Sequence, residues 1–142
     1  MTLDWPEGID EFEVFLRSRG LSFQFRGRVP DSHDIIWQYG TDKIGVRVIA
    51  DRGLVWSAQI ADIAGWPQQW YVAAELQELV RSAGNSPPND NSVAAQMRII
   101  EENWSAIVDA FAPQNREKTH TLLKGIRSER SKKWFSMISQ RP

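Results

Sequence analysis

The sequence predicts an α+β fold: a helix, four strands in an antiparallel meander, then three helices covering one face of the sheet. Two observations carry this. Apolar residues alternate with period two through the segment from about residue 21 to 60, and shift to helical spacing before and after it. The joints between the alternating runs are also too short for the crossovers that parallel strands require. Grouped strands followed by grouped helices belong to the α+β class.

The first helix is expected over Ile9–Arg19. Ile9, Phe12, Phe15 and Leu16 share one face, Asp10, Glu11 and Glu13 crowd the first turns, and Arg17 and Arg19 close the last, all favourable to the helix dipole. Gly20 supplies the stop. Leu21, Phe23 and Phe25 alternate with Ser22, Gln24 and Arg26, so a strand follows. The segment 27–32 reads as a loop broken by Gly, Pro and Asp. Residues 34–39 and 44–50 form a hairpin about Gly40-Thr41-Asp42-Lys43, and Leu54, Trp56, Ala58 and Ile60 make the fourth strand.

From Pro67 the spacing becomes helical, with Trp70, Ala73, Ala74, Gln77 and Val80 on one side, and this helix should end near Arg81. The Pro-, Asn- and Ser-rich stretch at 82–92 is a flexible loop within a single domain, 1–142. Ser92 can cap the next helix. Val93, Met97, Ile100, Trp104, Ile107, Val108 and Phe111 keep helical spacing up to the break at Pro113. The last helix runs from about Arg116 to Phe135, with Gly125 costing about 1 kcal/mol unless packing requires it.

Composition narrows the function. A chain of 142 residues with 42% hydrophobic side chains buries an ordinary core without staples. It contains no cysteine, which removes disulfides, thiolate metal sites and a cysteine nucleophile. No Walker loop, Gly-x-Gly-x-x-Gly or His-Glu-x-x-His occurs, and no spacing offers the three or four convergent ligands of a zinc site, so neither cofactor nor metal is implied. No signal peptide or apolar run long enough for a membrane span is visible, which points to a soluble cytoplasmic protein.

Seven tryptophans against two histidines suit a protein that holds something better than one that catalyses. Charge is divided. Residues 1–115 carry net −7 and residues 116–142 net +6, which brings the whole to −1. Either a basic last helix rests on an acidic body, or two faces steer partners of opposite charge.

Candidate residues follow from these patterns. For a basic protein partner they are the acidic side chains Asp10, Glu11 and Glu13, with Trp5 and Trp66, each preceding a proline, as aromatic anchors or else as staples over the core edge. Arg26, Arg28 and His33, in the run Arg26–Asp34, are candidates for an anion site and for an unrecognised enzyme. As neighbours in the chain they read more simply as a polar loop. His120 lies four residues from both Arg116 and Lys124, a setting that suggests either part of an anion site or an exposed histidine. The basic terminal helix keeps a nucleic-acid or phosphate-binding role open, less favoured because the whole chain is slightly acidic.

The acidic helix Ile9–Arg19, the hairpin Trp37-Gln38-Tyr39-Gly40 to Gly45-Val46-Arg47-Val48 and the helix containing Glu102-Asn103-Trp104 give an order of elements that resembles small bacterial immunity proteins of polymorphic-toxin systems. The resemblance implies an inhibitor that neutralises a partner toxin, such as a basic nuclease, and transfers no functional residue.

Overall fold

The computed structural model describes residues 5–52, 55–64, 69–80 and 92–139, with backbone alone at 134–135 and 137–139. The architecture is α+β, but the sheet has five strands where the alternation suggested four. Helix α1 (Ile9–Ser18) leads into β1 (Ser22–Arg28), β2 (Ile35–Gly40), β3 (Ile44–Asp51) and β4 (Val55–Asp62). Then come β5 (Trp70–Val72), α2 (Ala73–Val80), α3 (Val93–Glu102), α4 (Trp104–Ala110) and α5 (Arg116–Ser139). The strands lie in chain order and every neighbouring pair is antiparallel.

Period two sets the sheet's faces. Trp37 pairs with Val48 and Val48 with Ala58. Beside that row, Tyr39, Val46, Ile60 and Tyr71 align across four strands. All seven side chains are buried against the helical layer. The opposite face presents Phe25, Gln38, Arg47, Gln59 and Val72 in one row, with Gln59 Oε1 accepting from Arg47 Nε at 2.7 Å.

The helices bury their apolar stripes against the first face. On α1, Phe12 and Leu16 are fully buried, and the Phe12 ring stacks on Trp37 at 5.7 Å between centroids. Met97, Ile99 and Ile100 of α3, Ile107 of α4, Leu76 of α2 and Leu123 of α5 join the same core. The Trp37 indole nitrogen is buried and has no hydrogen-bond partner among the described residues. Contacts run from α1 to α3, from α3 to α2 and from α2 to α5. Thus α1 lies over β2, while α5 sits beside β5, where His120 meets Tyr71.

Two of the expected helices are laid out differently in the structure. The helix expected from Pro67 starts at Ala73, because Trp70–Val72 pairs with Gln59–Ala61 as β5. Trp70, Ala73 and Val80 fit a helical stripe, but a free edge on β4 is the stronger local demand. Where β5 ends, Gln96 takes over: its Oε1 accepts from the Ala58 amide at 2.8 Å. The helix expected as one piece from Val93 to Phe111 is two, broken at Asn103, whose side-chain amide donates to the Ile99 carbonyl at 2.8 Å. Four helices therefore follow the sheet where three were expected. Ser92 does cap α3, accepting from the Ala95 amide. Positions 53–54, 65–68 and the loop at 82–91 lie outside the described residues.

Candidate functional site

The acidic side chains of α1 divide between two settings. Glu13 faces the sheet and is neutralised there. Its carboxylate meets Arg17 at 3.3 Å and Arg26 at 3.9 Å. A hydrogen bond from Tyr39 holds Glu13 below its usual carboxylate value, with Arg17 and Arg26 acting the same way against partial burial. Arg26 lies over the Trp5 ring at 4.8 Å, and Trp5 tilts onto Trp56 at 5.6 Å.

Trp5 and Glu13, singled out for a protein partner, and Arg26, singled out for an anion, thus form one staple holding the segment before α1 to β1 and β4. A half-buried cation over an aromatic face is a packing arrangement. Arg28 and His33 are exposed at the far end of β1 and in the turn after it. His33 and Asp31 have positive φ, at 65° and 70°, and Asp34 Oδ1 accepts from the Arg52 amide at 2.9 Å. That is the bonding of a polar turn.

Glu11 faces the other way. With Glu7 and Gly8 it forms one wall of a groove between α1 and α3, and Ala94, Met97, Arg98 and Glu101 complete it around 460 Å³. Burial and the neighbouring Glu102 raise the Glu101 carboxyl above its ordinary value. Arg98 opposes this, and Glu11 adds to it from across the groove. Asp10, exposed beside the groove, and Glu11 form no ion pair among the described residues. An acidic groove of this kind favours a cation from outside. Trp66 lies outside the described residues.

In a second constellation the spacing of Arg116 and His120 was visible in the sequence, but their acidic partner was not. Asp62, at the end of β4, is 1% exposed and meets Arg116 Nε at 2.8 Å and His120 Nε2 at 3.0 Å. The other nitrogen of His120 lies 2.7 Å from the Tyr71 hydroxyl. Next to it, Glu75 is buried, with its carboxylate bonded by Arg127 at 2.7 and 2.9 Å and by the Val72 amide at 3.0 Å. Two arginines of the basic helix are thereby anchored on acids of the body, the self-complementary form of the charge division. Among the described residues no group of three His, Asp or Glu side chains could hold a metal ion, and no helix is long and apolar enough to cross a membrane.

In comparison with known proteins the chain matches no family model, no curated protein and no solved structure.

Proposed function

We propose that this chain is a cytoplasmic protein-binding domain of the immunity type, non-catalytic, whose α1–α3 groove receives a basic surface of a partner such as a toxin. The observation that supports the reading is the meeting of Glu7, Glu11 and Glu101 over the apolar floor of Met97. An acidic groove with an apolar base fits a lysine or arginine whose stem packs on methionine while its charge meets the carboxylates. Because Glu13 is already paired with Arg17 and Arg26, the proposed surface centres on Glu11 and Glu101 instead.

The test is capture of partners from the source's lysate by the wild-type chain and by Glu11→Lys/Glu101→Lys. One stoichiometric basic protein, released by salt and lost in the double variant, is the expected result. A partner retained undiminished by the folded double variant would place recognition on another face.

A further inference from the structure

The cleft beside the Asp62–His120–Tyr71 chain is independent of the acidic groove and is built from different elements. It is lined by Gln69 and Tyr71 around β5, by Pro113, and by Arg116, Glu117, His120, Thr121, Lys124 and Arg127 of α5, and encloses 690 Å³. That is within the range of small-molecule sites, roughly 300–1,000 Å³. Arg116, His120, Lys124 and Arg127 follow one another at spacings of four, four and three, which stacks them on one face of α5.

The two arginines are held from behind. Arg116 uses Nε on buried Asp62, and its terminal nitrogens have no acceptor among the described residues. Arg127 uses Nε and one terminal nitrogen on buried Glu75, and that terminal nitrogen also reaches the Trp70 carbonyl at 2.9 Å; its other terminal nitrogen has no acceptor among the described residues. Guanidiniums fixed in this way present pre-aimed donors, and little rotamer freedom remains to be lost on binding. Lys124 is exposed between them with no carboxylate partner among the described residues.

We infer that this cleft binds a small phosphorylated molecule, its phosphate oxygens accepting from Lys124 and from the unengaged donors of Arg116 and Arg127. Formal charge around the cleft is balanced, with Arg116, Lys124 and Arg127 against Asp62, Glu75 and Glu117. Recognition therefore rests on directed charge-assisted hydrogen bonds, for which a phosphate offers several acceptor oxygens, and not on a broad positive field. A nucleic-acid strand would require such a field, so a compact ligand is the better fit.

The chain's two histidines make the test internal. Proton NMR of the imidazoles follows His120 in the cleft and His33 in its distant exposed turn while the full chain is titrated with inorganic phosphate, pyrophosphate, phenyl phosphate and citrate. The expected result is a saturable shift of His120 alone with at least one phosphate, at a Kd below about 1 mM. Lys124→Glu should weaken it by about tenfold or more, the scale of one charge-assisted bond. Arg130→Glu, the same charge change on exposed α5 outside the cleft, should leave it nearly unchanged. No saturable His120 shift, equal shifts at both histidines, equal losses in the two variants, or tighter binding of citrate than of any phosphate would each overturn the inference.

Discussion

Replacing Arg127 by alanine isolates the two-bonded acid–base contact between the basic helix and the body. Glu75, 3% exposed at its side chain in the intact pair, is left with the Val72 amide but no cation. Removing one partner of a buried pair costs about 3–5 kcal/mol. Arg127 itself is 44% exposed, so water reaches the vacated side of Glu75 and the figure falls to about 2–3 kcal/mol. For a chain of this size, at about 4 °C per kcal/mol, Tm should drop by about 8–12 °C. Urea denaturation followed by tryptophan fluorescence, with thermal melts by circular dichroism, reads both quantities.

A second substitution separates loss of attraction from stranded charge. Glu75→Gln keeps an oxygen for the Val72 amide and removes the charge. Added to Arg127→Ala it should therefore recover about half of the loss, since the uncompensated carboxylate is gone. An Arg127→Ala variant within about 0.5 kcal/mol of wild type, or a double variant no better than the sum of the singles, would refute the reasoning.

Glu101→Gln should raise stability at neutral pH while weakening partner capture. Because the folded-state value of Glu101 is raised, its penalty is present above that value and vanishes as pH falls below the ordinary 4.5, so melts at pH 7 should show a gain that melts below about pH 4 do not. Glu13 has the opposite sign: its folded-state value is lowered, so Glu13→Gln should destabilise at neutral pH and lose that effect as pH falls through the acid range. Trp5→Ala should cost about 2 kcal/mol in urea unfolding, from the area lost against Trp56 and the contact with Arg26. At Gly45 a Cβ would meet Ile63 at 3.0 Å and Trp70 at 3.1 Å, so Gly45→Ala should destabilise by about 1–2 kcal/mol.

The elements most legible in the sequence were those in which one face is buried and the other is not. Phe12 and Leu16 on α1, and Trp37, Tyr39, Val46, Val48, Ala58 and Ile60 on the central strands, point where their periodicity placed them. Strand β5 was hidden because three residues running straight into a helix are too short for a period to register. The break at Asn103 was hidden because the apolar spacing continues through it and only a side-chain bond to Ile99 marks the bend.

The sites were harder to read for a related reason. Asp62 and His120 are 58 residues apart in sequence and 3.0 Å apart in space, and Glu11 faces Glu101 only because α1 packs on α3. Arg26 illustrates the converse. In the sequence it belongs with Arg28 and His33, while in the structure its neighbours are Glu13 and Trp5. The spacing of Arg116, His120 and Lys124 was visible from the start, but the buried acids behind them were not.

Placing α1 over β2 and α5 beside β5 gives the molecule a permanent electric dipole lying along the helical layer. An approaching ion experiences a torque before any contact forms, and the domain turns its acidic end towards cations and its basic end towards anions. In dilute salt the same asymmetry acts between copies. The end of one attracts the opposite end of the next, and the second virial coefficient becomes less positive as ionic strength is lowered. A small net charge of −1 offers little repulsion against that attraction, so colloidal behaviour follows the separation of charge and not its sum.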